Sequence, residues 1–167
     1  MATTAAGTPY VEASDLVAGY PAVSLALANH IDETGGKVLQ VVRATDVTDR
    51  STTSTAFVDA SISITITPQR VDSIILIIWN FLAAPNANER IQTQITDSGN
   101  TALSGAEASS ATSQGTFRSQ ISLIGYSTPA TLLATTYKGR FKSTGGANVT
   151  IAGSTTTGQL FAIEVAA

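Results

Sequence analysis

From residue 37 onward, apolar and polar side chains alternate one by one. The alternation is strictest in Val58–Thr67, where Val58, Ala60, Ile62, Ile64 and Ile66 take one parity and Asp59, Ser61, Ser63, Thr65 and Thr67 the other. A period of two places the two sets on opposite faces of a β-strand, one aliphatic and one hydroxyl-bearing. Pro68 ends this strand. The next, Val71–Leu82, contains Ile74-Ile75-Leu76-Ile77-Ile78-Trp79, apolar at both parities, which predicts an inner strand buried on two sides. Lys37–Val42, Arg90–Thr96, Phe117–Tyr126, Leu132–Lys142, Val149–Ala152 and Gln159–Val165 alternate in the same manner, giving about eight strands.

The connections carry turn chemistry. Asp97-Ser98-Gly99-Asn100, Ser127-Thr128-Pro129 and Ser143-Thr144-Gly145-Gly146 are rich in residues that tolerate or stabilise tight turns, as hairpins require. Short strands separated by such turns predict an all-β fold, an antiparallel β-sandwich or jelly roll, over residues 36–167. Gly99–Gly115 is long, small and polar, and reads as a loop. The pattern before Gly35 is different. Val23, Leu27 and Ile31 recur every four residues, Pro21 suits a first helical position and Gly35-Gly36 stops the run, so a short helix is predicted from about Pro21 to Glu33. At about three turns it is marginal alone and its apolar stripe needs a partner surface. The chain therefore divides into a short N-terminal α-helical arm, residues 1–35, and a β domain.

Composition narrows the chemistry. Charged residues make up only 13% of the 167, while Thr (25) and Ser (17) supply most of the polarity, as suits pleated strands with hydroxyl faces. A net charge of −3 argues against nucleic acid, whose binding rests on clustered Lys and Arg. Without cysteine there is no disulfide framework or thiolate metal site. Met1–Gly7 has neither a basic nor a long apolar stretch, and Ile74–Trp79 is far shorter than a bilayer span, so no secretion signal and no membrane insertion are expected.

The single histidine, His30, leaves no pair of imidazoles and argues against a Ser-His-Asp arrangement. The carboxylates are dispersed, Asp97-Ser98-Gly99-Asn100 departs from a calcium loop, and Gly145-Gly146 lacks the Lys-Ser/Thr of a phosphate loop. No catalytic, cofactor-binding or metal-ligating set is predicted. Lys138, Arg140 and Lys142 share one face of a strand, and Arg118 joins them if its strand is a neighbour; this patch reads first as a solvated face that discourages edge pairing.

The order of these segments carries a resemblance. Val38-Leu39-Gln40-Val41-Val42, the hydroxyl-rich Ser51–Asp59, Ile62–Pro68 and the apolar strand after it, closing with Thr136-Tyr137-Lys138-Gly139-Arg140-Phe141 and Gly158–Val165, are similar to small jelly-roll modules of bacteriophage fibre and virion-appendage proteins. The resemblance spans roughly Gly35–Ala167. Thr8–Glu12, Ser14–Val17 and Tyr20–Asn29 are similar to leading arms of phage structural proteins. It implies a homotrimeric short fibre or decoration protein of the virion, not an enzyme, bound to capsid or tail proteins through Tyr10, Val11, Leu16, Val17, Tyr20, Val23, Leu27 and Ile31. The expected trimer interface is Ile75, Ile77, Trp79 and Phe81, from the strand apolar on both faces. The alternative function is a carbohydrate-binding module that takes host surface glycans through Ala83–Glu89, Ser98–Gly115 and Ser143–Asn148, loops without an aromatic platform.

Overall fold

The structure, a computed structural model, describes residues 2–3, 9–10, 22, 24–28, 38–86, 89–112 and 118–166, with 2–3, 9–10 and 109–112 described by backbone alone. It separates into two compact units, Met1–Lys37 and Val38–Ala167. In the first, strands β1 (Ala2–Thr3) and β2 (Pro9–Tyr10) pair antiparallel, with Ala2 opposite Tyr10, and residues 22 and 24–28 are helical. The rest of the expected Pro21–Glu33 helix lies outside the described residues.

The second unit is all β. Its strands are β3 (Val38–Asp46), β4 (Arg50–Thr52), β5 (Val58–Ile66), β6 (Ile74–Pro85), β7 (Arg90–Asp97), β8 (Ser109–Thr112), β9 (Ser119–Ser127), β10 (Thr135–Ser143), β11 (Val149–Ile151) and β12 (Gly158–Val165). Their antiparallel pairing is nested: β3 with β12, β4 with β11, β5 with β10, β6 with β9, and β7 with β8. The chain thus forms one long double ribbon, and rolling that ribbon up adds the pairs β12–β6, β11–β6 and β10–β7. Two sheets result. One has four strands in the order β5-β10-β7-β8; the other has six, in which β6 is flanked by β9 on one edge and by β12 and β11, end to end, on the other.

Alternation sends one face of each sheet into a shared interior. Ala60, Ile62, Ile64 and Ile66 of β5, Tyr137 and Phe141 of β10, and Ile91 and Ile95 of β7 meet Ile75, Ile77, Trp79, Phe81 and Ala83 of β6, Leu160 and Ala162 of β12, and Leu123 of β9. Trp79 spans the gap between the sheets. A Cβ added to Gly139 on β10 would lie 2.8 Å from its ring, so glycine is what lets the indole reach across. Opposite this point β5 is irregular, with Ser61 at φ 57° and the β5–β10 register shifted between Lys138 and Arg140.

Every strand segment read from alternation forms a strand, with ends moved by a few residues. Short β4 escaped because three residues show no period, and β8 arises inside the segment expected to be a loop, where β7 supplies its pairing partner. The expectation for β6 is corrected: it is buried on one face only. Ile75, Ile77, Trp79, Phe81 and Ala83 are interior, whereas Ile74, Leu76, Ile78, Asn80, Leu82 and Ala84 are half-buried, because no layer of this unit packs on their side.

Candidate functional site

The outer face of the six-stranded sheet is built from the positions that alternate with the core. The registers align them in rows across β3, β12, β6 and β9. Val41, Ile163, Leu76 and Tyr126 form one row, and Arg43, Phe161, Ile78 and Ile124 the next. Val38, Val165 and Ile74 extend the apolar area toward one end. The exposed members stand well clear of the surface: Val38 is 56% exposed, Val41 58%, Ile124 54% and Tyr126 46%. Arg43 is the one charged side chain in these rows, and it lies over the Phe161 ring at 5.8 Å while its Nε donates to Gln159 Oε1 at 3.1 Å. The connections at the same end add exposed Val71, Leu132 and Leu133.

Beyond these rows the face turns polar. Thr45, Gln159, Asn80 and Ser122 make the next row, followed by Leu82 opposite Gln120, then Ala84, Thr150 and Ser51, whose hydroxyl is 2.7 Å from that of Thr150. A groove of about 340 Å³ opens there, walled by Asp49, Ser51, Asn86, Arg118 and Thr150 and floored by Ala84, Pro85 and Ala152. Arg118 donates to Thr155 Oγ1 at 2.5 Å. Asp49 accepts from the Ser154 backbone N–H, which with the Ser154 side chain and the nearby Arg118 holds its carboxyl below the usual range.

Two buried carboxylates lock the ends of the roll. Glu89 accepts from the N–H groups of Arg90 (2.8 Å), Gly145 (2.9 Å) and Ala147 (3.0 Å) and from Thr144 Oγ1 (3.0 Å), and these bonds lower its pKa from 4.5 to about 2. It thereby joins Ala83–Glu89 to Ser143–Asn148, two of the three loops singled out for a glycan, while Asn86 N–H donates to Asn148 O. At the other end Glu164 accepts from Ser73 Oγ (2.6 Å), the N–H groups of Gln69 (2.7 Å) and Arg70 (3.3 Å), and Gln40 Nε2. Burial by itself pushes Glu164 up, but the four donors outweigh it and leave the carboxyl below its ordinary value.

The four-stranded sheet turns a different face outward. Asp59, Ser61, Ser63 and Thr65 stand beside Thr136, Lys138, Arg140 and Lys142. Asp59 accepts from Lys138 Nζ at 3.2 Å and Arg140 Nε at 3.0 Å, the hydroxyls of Thr65 and Thr136 are 2.8 Å apart, and Lys142 lies over the Phe57 ring at 4.8 Å. The three basic residues do share a face, as expected. Arg118 belongs to the other sheet's rim and does not join them.

Of the arm residues, Val11, Leu16, Val17, Tyr20, Val23 and Ile31 lie outside the described residues, as does His30. Tyr10 is described by backbone in β2, and Leu27 is helical and 36% exposed. Ile75, Ile77, Trp79 and Phe81, expected at a trimer interface, are at most 1% exposed in the chain's own core and unavailable to a second chain. The residues one step away in the same strand, Ile74, Leu76 and Ile78, carry the exposed face. The signal was present in the run apolar at both parities; what it lacked was a way to tell which parity faces inward. Asp97-Ser98-Gly99-Asn100 is a turn, with Asn100 N–H donating to Asp97 O and Thr101 N–H to Asp97 Oδ1. Among the described residues no three His, Cys, Asp or Glu side chains gather as a metal site.

No protein-family model matches this chain, and no curated protein sequence does. Among solved structures it is similar to the VP2 subviral particle protein of infectious bursal disease virus, with 15% identity, a TM-score of 0.37, and coverage of 76% of this chain and 37% of that one. The chain thus spans little more than a third of that protein's length.

Proposed function

We propose that this chain is a structural subunit of a virus particle: a homotrimeric short fibre or decoration protein of a bacteriophage virion. The β domain is a jelly roll, the nested ribbon wound as β3-β12-β6-β9 against β5-β10-β7-β8, and residues 1–35 are the arm that docks on capsid or tail proteins. The observation that carries the reading is the contrast between the two outer faces. One sheet is finished for water by ion pairs and hydroxyls, whereas the other turns adjacent rows of apolar side chains outward, with Val38, Val41, Ile124 and Tyr126 about half exposed. A subunit completed by its neighbours accounts for both. On this reading the chain is not an enzyme; it binds by shape and burial. The test is removal of Met1–Glu33: the truncated chain stays a folded oligomer and no longer joins particles. Assembly of the truncated chain at full occupancy removes the arm from the proposal.

The groove beside Arg118 favours a second reading, recognition of host surface glycans. Asp49, Asn86, Arg118 and the hydroxyls of Ser51 and Thr150 converge on a volume suited to one or two sugar rings. Binding on a glycan array that is lost in Arg118→Ala supports this second reading; an array without signal removes it.

A further inference from the structure

We infer that the outer face of the six-stranded sheet is the surface on which copies of this chain associate, with Leu76, Ile78, Phe161, Ile163, Ile124 and Tyr126 at its centre. The inference rests on the subunit reading above and gives it a location. Three observations select a second copy as the occupant.

The first is charge. Arg43 is the one ionised side chain in the apolar rows, and Phe161 and Gln159 already engage it. Where copies gather around a symmetry axis, the parts of a patch near that axis face their own duplicates, so net charge there repels itself. With that one cation spread over four strands, this face can meet itself at little penalty. The opposite sheet, with Lys138, Arg140 and Lys142 against a single Asp59, cannot.

The second is area. At ~3.3 Å per residue and ~4.8 Å between strands, the rows from Ile74 to Asn80, four strands wide, cover on the order of 400 Å² in plan, about half of the ~800 Å² per partner of a stable protein–protein interface, and exposed Val71, Leu132 and Leu133 extend it at the same end.

The third is layout. The apolar rows are bordered by the row Thr45, Gln159, Asn80 and Ser122 and then by the Arg118 groove. An apolar centre with a hydrogen-bonding rim is the anatomy of a subunit contact. The groove falls beyond that rim and stays open when copies associate.

The test uses the full chain in Val41→Lys and Ile124→Lys forms, both positions being more than half exposed in the single chain, with Ser63→Lys on the other sheet as the control. Sedimentation analysis over a concentration series is expected to show the wild type and Ser63→Lys associated. Val41→Lys and Ile124→Lys should keep the wild-type circular dichroism spectrum and associate more weakly by on the order of 100-fold. Carbene footprinting of unsubstituted protein, dilute against concentrated, reads the surface without relying on variants: Val41, Ile124 and Tyr126 are expected to become protected. If the wild type associates while the lysine variants match it and protection falls on Ser63 and Thr65, the face assignment is overturned and the subunit reading survives. A wild type that stays monomeric at every concentration overturns both.

Discussion

On the four-stranded sheet the outward positions read Asp59, Ser61, Ser63, Thr65, Lys138, Arg140 and Lys142; on the six-stranded sheet they read Leu76, Ile78, Phe161, Ile163, Ile124 and Tyr126. Both sheets have the same pleat, the same twofold period and largely apolar inner faces. Alternation alone therefore says how a strand divides, while the chemistry of the outward half says what lies beyond it. Hydroxyls and paired charges lose little by facing water. Isoleucine, phenylalanine and tyrosine in adjacent rows gain when something covers them, by about 25 cal/mol for each Å² buried.

The comparison can be broken most forcefully at the residue that joins the two sheets. Trp79→Ala removes the indole that reaches Gly139 and is expected to cost about 4 kcal/mol of unfolding free energy, read by chemical denaturation with circular dichroism. A loss below about 1 kcal/mol would mean the ring does not bridge the sheets.

Glu164→Leu comes next. It leaves Ser73 and the N–H groups of Gln69 and Arg70 without their acceptor at the apolar end of the six-stranded sheet, with an expected cost of about 3 kcal/mol. Glu164→Gln, which retains one acceptor oxygen, should fall between the wild type and Glu164→Leu in the same denaturation experiment.

The polar end responds to acid through Glu89. Its folded pKa, about 2, lies below its ordinary 4.5, so the unfolded chain binds more protons between those values and stability falls as pH drops. The contribution is complete above about pH 4.5 and disappears as pH approaches 2. Melting temperatures measured across that window should fall less steeply in Glu89→Gln than in the wild type; parallel curves would remove Glu89 from the acid response.

The smallest effect belongs to the solvated sheet. Asp59→Asn breaks two exposed ion pairs and should change stability by about 0.5 kcal/mol, with no change in sedimentation. Dissociation of copies by this variant would place the contact on the wrong sheet.

Much of the β domain was legible because alternation is a one-dimensional record of a two-faced environment. Val58–Ile66 shows this best: each apolar residue from Ala60 onward is buried and each polar one exposed. The Lys138, Arg140 and Lys142 face was legible for the same reason. The run around Ile74–Trp79 was not, because both parities are apolar and only contact with β5, β7 and β10 decides that Ile75, Ile77 and Trp79 go inside. The buried carboxylates were equally hidden. Glu164 lies 91 residues from Ser73 and Glu89 lies 56 from Gly145, so no local pattern links acceptor to donor.

By itself the sequence determined the fold class, the number and rough limits of the long strands, the turns between them and the polar nature of one sheet's outer face. These follow from local period, side-chain type and backbone preference. Tertiary structure alone decided that strands distant in the chain nest as one rolled ribbon, that β8 pairs within an apparent loop, and that the six-stranded sheet, with Ile74, Leu76 and Ile78 outward, presents the uncovered apolar face. Those outcomes depend on long-range pairing, where each strand's partners fix both its register and which of its sides meets the core.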